Sequence, residues 1–170
     1  MRPDSVKMTP LVRPEDYPAL CSCGNPHPTY RMGLIAGNSA YDALARDCRD
    51  SAAEKPVFLL DDTNTHPAAG SAVLKQLEKS DVDFRWHRLS GNLHTNIEVV
   101  EQVMAAAAGC SRIIAVGAGT INDIGKYAAT RMGIPYWTAP TAPSMNGYTS
   151  AIAAVEVAGV KRTLPATPPA

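Results

Sequence analysis

Ala115-Val116-Gly117-Ala118-Gly119-Thr120-Ile121-Asn122-Asp123-Ile124-Gly125-Lys126 is the stretch on which the fold turns. An apolar run enters a glycine-rich turn, and a helical pattern begins at once. Strand, tight turn and helix N-terminus in that order make a phosphate cradle. The glycines let the backbone come close to an anion, and the first N–H groups of the helix point at it. Those of Gly119, Thr120 and Ile121 are the natural donors. The pattern is not a full dinucleotide fingerprint, because Asn122 stands where a third glycine is usual. Taken alone, Gly117-Ala118-Gly119 reads equally as a strand-to-helix turn without a ligand. Asp123, read in the first turn of that helix, is either favoured by the helix dipole, worth ~0.3–1 kcal/mol, or orients a cofactor amide or substrate hydroxyl. Lys126 reads more readily as a solvated helix residue than as a functional one.

Working outward, Arg112 to Val116 is the strand that feeds this turn. Ile121, Ile124, Ala128 and Met132 recur at helical spacing, and Gly133 with Pro135 supplies the stop. Ile134 to Thr138 is a short strand that opens into a second polar loop, Thr138 to Ser150. Its hydroxyls, on a backbone stiffened by Pro140 and Pro143, suit phosphate and carboxamide groups. Upstream, Pro56 to Leu60 is a continuous apolar run, as in a strand buried on both faces. It leads to a polar turn, Asp61 to Thr65, in which Asp62 is placed to accept ribose hydroxyls or simply to close an Asx turn. Ala69, Val73 and Leu77 mark a helix, and Val82 to Trp86 a weaker strand. Thr95-x-x-Glu98 reads as a capping box before Ile97, Val100 and Val103. Met32 to Ala36 reads as a first strand, with Ser39 capping a helix through Leu44, Ala45 and Cys48.

Alternation of strands and helices at this length means βαβ units and a mostly parallel sheet flanked by helices, an α/β fold. Ligands in such sheets bind beyond the carboxyl ends of the strands. The three polar segments, at residues 61–65, 117–123 and 138–150, fall at those ends. Together they argue for a nucleotide-dependent enzyme site. Residues 1–30 read as an irregular arm and 31–157 as a Rossmann-like domain. Residues 158–170 read as a hairpin turn at Ala158-Gly159 with a proline-rich tail.

Composition sets the outer limits. The chain has 170 residues, 45% apolar and 19% charged, which suits one globular domain with a real core. Sixteen basic and sixteen acidic residues cancel, so no basic face is implied and nucleic acid is a poor partner. No run of 18 apolar residues predicts a membrane span, and the first five residues do not open a signal peptide. A cytoplasmic, reducing setting is the expectation. Cys48 and Cys110 read as small core residues. Cys21-Ser22-Cys23 with His27 forms half a zinc ligand set, and its plain reading is reduced surface thiols.

The segments Gly119 to Ile124, Gly133 to Tyr136 and Thr141 to Ser150 resemble the bacterial sn-glycerol-1-phosphate dehydrogenases. That family is grouped with the iron-containing alcohol dehydrogenases and dehydroquinate synthases. Cys21-x-Cys23-Gly24, Asp62-x-Asn64-Thr65 and Val160 to Thr163 carry the same resemblance, which runs over nearly the whole chain. It implies a Rossmann-like domain that binds NAD or NADP. It also implies a helical C-terminal domain holding a zinc, nickel or iron ion, placed after the point where this sequence stops. The reaction implied is reduction of dihydroxyacetone phosphate to sn-glycerol 1-phosphate, by a homo-oligomer acting on a small phosphorylated substrate. By carry-over, Gly117, Gly119, Thr120, Ile121, Asn122 and Asp123 cradle the pyrophosphate. Thr141, Ala142, Pro143, Ser144 and Ser150 also contact the cofactor, Asp62 faces the adenosine ribose, and Asn146 touches substrate. The metal ligands of the family are not in this stretch. The family motif has aspartate at the position of Asn146, and an asparagine cannot act as a base. The 170 residues are then expected to be inactive alone. The other readings are a nucleotide-binding module without turnover, a degenerate remnant, or a phosphosugar lyase of the dehydroquinate-synthase type.

Overall fold

Four parallel strands organise the computed structural model, which describes residues 32–170 apart from 52–54 and 91. They are β1 (Val57–Asp62), β2 (Phe84–Leu89), β3 (Arg112–Gly117) and β4 (Tyr136–Pro140), in the order β2-β1-β3-β4. Val57 pairs with both Phe84 and Arg112, and Ile113 with Tyr136, so the carboxyl ends of all four strands share one edge. The helices are α1 (Ala40–Ser51), α2 (Ser71–Lys79), α3 (Ile97–Ala106) and α4 (Gly119–Met132).

Alternate side chains of each strand go to opposite faces. Phe58, Leu60, Ile113, Ala115 and Tyr136 meet Val100 and Val103 of α3 and Ile121, Ile124 and Ala128 of α4. Val57, Leu59, Ile114 and Val116 meet Ala45 and Cys48 of α1 and Val73, Leu74 and Leu77 of α2. Both faces are covered, which is why β1 and β3 read as unbroken apolar runs. The mostly parallel α/β architecture predicted from sequence is the one observed. Gly125 lets α4 settle on β3, since a Cβ there would lie 2.9 Å from that of Ala115. Gly133, in the left-handed region with φ 66°, ends α4 where predicted.

Beyond the sheet, β5 (Ile152–Val157) and β6 (Val160–Pro165) form an antiparallel hairpin. Ala158 and Gly159 have φ of 52° and 74° and join them, the two-residue turn whose twist suits a hairpin. The tail then lies back on the domain. Thr167 N–H donates to Thr130 Oγ1, and Ala170 N–H to the Tyr136 carbonyl.

Several sequence expectations are corrected. Residues 32–36 form no strand; residues 32–35 line an apolar groove of about 570 Å³ beside β4 and α1 instead of pairing with β4. Asp61 and Asp62 belong to β1, because the ladder to β2 continues through Arg88 and Leu89. The second strand starts at Phe84 and runs to Leu89, later than Val82 to Trp86. The cap of α3 is Asn96, whose Oδ1 accepts the Val99 N–H at 2.9 Å, and not Thr95. The segment with Cys21, Cys23 and His27 lies outside the described residues.

Both described cysteines are core residues, as expected. Burial pushes the Cys48 thiol up to about 12, against a smaller opposing effect of Arg112. The thiolate is the reactive form. Cys48 is therefore expected to resist iodoacetamide at pH 8 in the folded chain and to label on addition of urea. Peptide mapping that found Cys48 labelled before unfolding would contradict its burial.

Candidate functional site

The start of α4 is the centre of the site. Ala118 is its cap and offers no side-chain hydrogen bond; the first backbone bond runs from Asn122 N–H to the Ala118 carbonyl. The first N–H groups of a helix have no acceptor within it. Gly119, Thr120 and Asp123 of α4 open on a cavity of about 300 Å³. Its other walls are His94 and Thr95 before α3, Glu156 on β5 and Lys161 on β6. Glu156 and Lys161 are direct partners across the hairpin. The cavity thus combines unspent N–H groups, a lysine ammonium and a carboxylate, a donor set that suits a phosphate with hydroxyls nearby.

The second loop folds onto the glycine turn. Thr141 N–H donates to the Gly117 carbonyl at 3.2 Å, and Tyr148 Oη lies 3.3 Å from that same oxygen. A Cβ added at Gly119 would come within 2.7 Å of Met145 Sδ, so the Met145 thioether rests on the bare face of Gly119. Pro143, Ser144 and Asn146 are exposed along the loop, and Asn146 stands at the start of the short 3₁₀ turn Gly147–Thr149. Structure therefore joins two of the three predicted polar segments by direct contact.

The third segment takes in the last two residues of β1, which is adjacent to β3 in the sheet, and the turn after them. Asp62 Oδ1 accepts the N–H groups of Asn64 and Thr65, each at 2.7 Å, and Asp62 N–H donates to Thr65 Oγ1 at 3.0 Å. One carboxylate oxygen thus closes the Asx turn. Asp61 goes to the opposite face and is fully buried. His66 Nδ1 lies 2.7 Å from its Oδ2, and Trp86 Nε1 donates to its Oδ1 at 3.1 Å. Arg88 stacks 4.5 Å above Trp86 with its Nε 3.6 Å from the same carboxylate.

Three predicted cofactor contacts, Asn122, Asp123 and Ser150, make hydrogen bonds within the fold itself. Asn122 is fully buried; its Oδ1 accepts from Tyr136 Oη at 2.8 Å and its amide donates to Asp123 Oδ1 at 3.0 Å. Burial in turn keeps the Tyr136 hydroxyl protonated far above the usual tyrosine range. Ser150 Oγ lies 2.8 Å from the Gly147 carbonyl and receives a bond from Lys126. Asp123 sits past the first turn of α4, where its Oδ2 accepts the Ala154 N–H at 3.2 Å and ties β5 to the helix.

Lys126 departs most from expectation. It is fully buried rather than solvated. Asn122, Lys126 and Thr130 are spaced by four, and together with Asp123 make a polar stripe along the helix. That stripe receives the hairpin, the loop and the tail. The spacing is legible in sequence; what covers it is not. His94, Glu156 and Lys161 were also not singled out from sequence. Their signal is the hairpin turn, which puts Glu156 opposite Lys161.

Among the described residues no group of three or more histidine, cysteine or acidic side chains is placed to hold a metal ion. Nor is any described helix long and apolar enough to cross a membrane.

A family model described as iron-containing alcohol dehydrogenase matches residues 28–170. The chain belongs to the iron-containing alcohol dehydrogenases. Within that family it is 30% identical, over 157 residues, to the glycerol-1-phosphate dehydrogenase [NAD(P)+] of Geobacillus stearothermophilus. The match covers 88% of this chain and 38% of that protein. The enzyme of the same name from Bacillus velezensis is 33% identical over 136 residues, 77% of this chain and 34% of that one. This iron-containing alcohol dehydrogenase chain therefore spans well under half the length of the relatives it matches. Among solved structures, maleylacetate reductase from Rhizobium sp. strain MTP-10005 superposes with a TM-score of 0.66 at 22% identity, over 83% of this chain and 40% of that one. ValA, a 2-epi-5-epi-valiolone synthase from Streptomyces hygroscopicus subsp. jinggangensis 5008 solved with NAD+ and Zn2+, gives 0.62 at 21%, over 85% and 42%. Both share the fold.

Proposed function

We propose that these residues form the cofactor half of an NAD(P)-dependent sn-glycerol-1-phosphate dehydrogenase. The observation that carries this is the uncapped start of α4, which faces a polar cavity and has the second loop folded against it. In this reading the pyrophosphate of NAD(P) lies at the N–H groups of Gly119, Thr120 and Ile121. The turn from Gly117 to Gly119 admits it, and Asn122 supports the turn from beneath. Lys161 balances its charge from the hairpin. Asp62 offers its second oxygen to the adenosine ribose, while Thr141 to Ser144 hold the nicotinamide side. Asn146, exposed at the lip of the loop, orients dihydroxyacetone phosphate by hydrogen bonds without removing a proton. The nicotinamide, when bound, supplies the hydride.

The described residues do not fit a catalytic metal, so no step is assigned to one here. The relatives are far longer than this chain, and the chain alone is expected to bind cofactor without turnover. Reduction of the ketone, and assembly into a homo-oligomer, belong in this proposal to the whole protein. A second reading, a nucleotide-binding module with no chemistry, is favoured by Asn146 standing where the resembled family has aspartate.

Titration of the 170-residue chain with NADH tests the proposal. The expected result is a saturable rise in nicotinamide fluorescence that ADP competes away, because both ligands share the pyrophosphate site. A fluorescence trace that stays linear in NADH, with no competition by ADP, would remove cofactor binding from the account. Saturable binding by a version extended to the length of the relatives, without NADH oxidation on dihydroxyacetone phosphate, would select the module.

A further inference from the structure

A fully buried lysine without a carboxylate in hydrogen-bond contact is unusual in a helix of this size. Lys126 lies two turns into α4, and its Nζ reaches four oxygens. It donates to the Gly147 carbonyl at 2.6 Å, the Ser150 carbonyl at 3.1 Å, Ser150 Oγ at 3.2 Å and the Ile152 carbonyl at 3.4 Å. All four belong to residues 147–152, the end of the second loop and the start of β5. Burial pulls the lysine below its ordinary range, and the nearby Asp123 charge opposes that shift. Three ammonium protons directed at four oxygens are the compensation such burial requires.

The apolar packing of α4 rests on other residues, namely Ile121, Ile124, Ala128 and Ala129. What Lys126 adds is a connection from the rigid helix to the loop. The loop's own short 3₁₀ turn has no side-chain cap, and Asn146, Pro143 and Ser144 are exposed. At its far end the loop is fixed by Thr141 N–H on Gly117 and Tyr148 Oη on the Ala142 carbonyl. The Lys126 ammonium ties the near end to the helix at Gly147, Ser150 and Ile152, beside the contact of Tyr148 Oη with the Gly117 carbonyl.

We propose that Lys126 is a positioning residue: its ammonium seats the 141–150 loop on the glycine turn, and so holds the half of the cofactor that this loop contacts. The inference deepens the proposed cofactor site and rests on that reading for its ligand. The adenosine and pyrophosphate end depends on the start of α4 and on Asp62, which Lys126 does not touch. Loss of the ammonium should thus separate the two ends of the dinucleotide.

The test uses the 170-residue chain with Lys126→Met, Lys126→Arg and Lys126→Gln. Dissociation constants are measured for NADH and for ADP, and amide hydrogen exchange is followed without ligand. Lys126→Met is expected to weaken NADH by roughly tenfold, the scale of a lost charge-assisted hydrogen-bond set, with ADP changed less than about twofold. Amides of residues 145–152 should exchange roughly tenfold faster, while those of β1 and β3 stay protected. Lys126→Arg should recover part of both effects, because its fork still reaches carbonyl oxygens. Parallel weakening of NADH and ADP, or unchanged exchange in the loop, overturns the proposal. If Lys126→Met fails to fold, the ordering Arg above Gln in loop protection decides it, and equal protection in the two sinks it. If the unaltered chain binds neither nucleotide, the cofactor reading fails while the exchange data still judge the clamp.

Discussion

Gly70→Ala is expected to destabilise the chain by about 2–4 kcal/mol, a large share of the stability of a domain this size. Gly70 ends the π-helical turn His66–Gly70 and is buried against Asp61. Its φ of −55° suits alanine, so the backbone is not the obstacle. The obstacle is that a Cβ at Gly70 would overlap Asp61 Oδ2 and sit 3.1 Å from His66 Nδ1. Asp61 is fully buried and held by Trp86, His66 and Arg88, so it cannot swing away without giving up those bonds. Overpacking costs ~1–3 kcal/mol and each buried polar group left unmatched a further ~1–3 kcal/mol. The gain in helix propensity, about 1 kcal/mol, offsets only part. Urea unfolding should show the midpoint falling with the slope unchanged. A loss below about 1 kcal/mol would mean that Asp61 has somewhere else to go.

Gly117→Ala and Gly119→Ala are predicted to behave differently, although they lie two positions apart in the same turn. At Gly117 the new Cβ would lie 2.5 Å from Ile121 Cβ and 2.8 Å from its Cγ2. Ile121 is 1% exposed and wedged in the core, and its branched Cβ moves only with the backbone. The first turn of α4 must therefore shift, carrying the anion-facing N–H groups with it. We expect a stability loss of ~1–3 kcal/mol and NADH affinity lower by at least about tenfold. At Gly119 the contact is Met145 Sδ, the distal part of an unbranched side chain in a loop. Stability should stay within about 1 kcal/mol of the parent. Equal nucleotide affinity for Gly117→Ala and the parent would separate the glycine turn from ligand binding.

The sheet was legible because each strand carries its own evidence. Val57 to Leu60 and Ile113 to Val116 are apolar without interruption, and that is how a strand covered on both sides must read. Gly133 and Ala158-Gly159 were legible for a similar reason, since each conformation is set within two residues. Residues 32–36 misled because five apolar or small residues satisfy a strand pattern while pairing depends on a partner elsewhere in the chain. Asn96 displaced Thr95 as a cap because both residue types suit the position, and it is the Asn96 side chain that reaches the Val99 N–H.

The site divides along the same line. The glycine turn and the second loop announced themselves by composition, and their contact follows from the adjacency of β3 and β4. The burial of Lys126 did not show in sequence, because it depends on a hairpin placed some 25 residues later over one face of α4. Asp61 was equally hidden. In the sequence it is one of two neighbouring aspartates before a turn, and only the strand pleat sends it and Asp62 to opposite sides.

A two-stranded hairpin is barely stable in water without support. Here β5 and β6 lean on α4 through Asp123 and Lys126, and on Thr95 through the Glu156 N–H. The cavity has a floor on α4 and a wall on the hairpin, whose Ala153 and Val155 are buried in the same core as Ile121 and Ile124. A ligand bound in that cavity would therefore feel changes to the hairpin that leave every residue of the glycine turn in place.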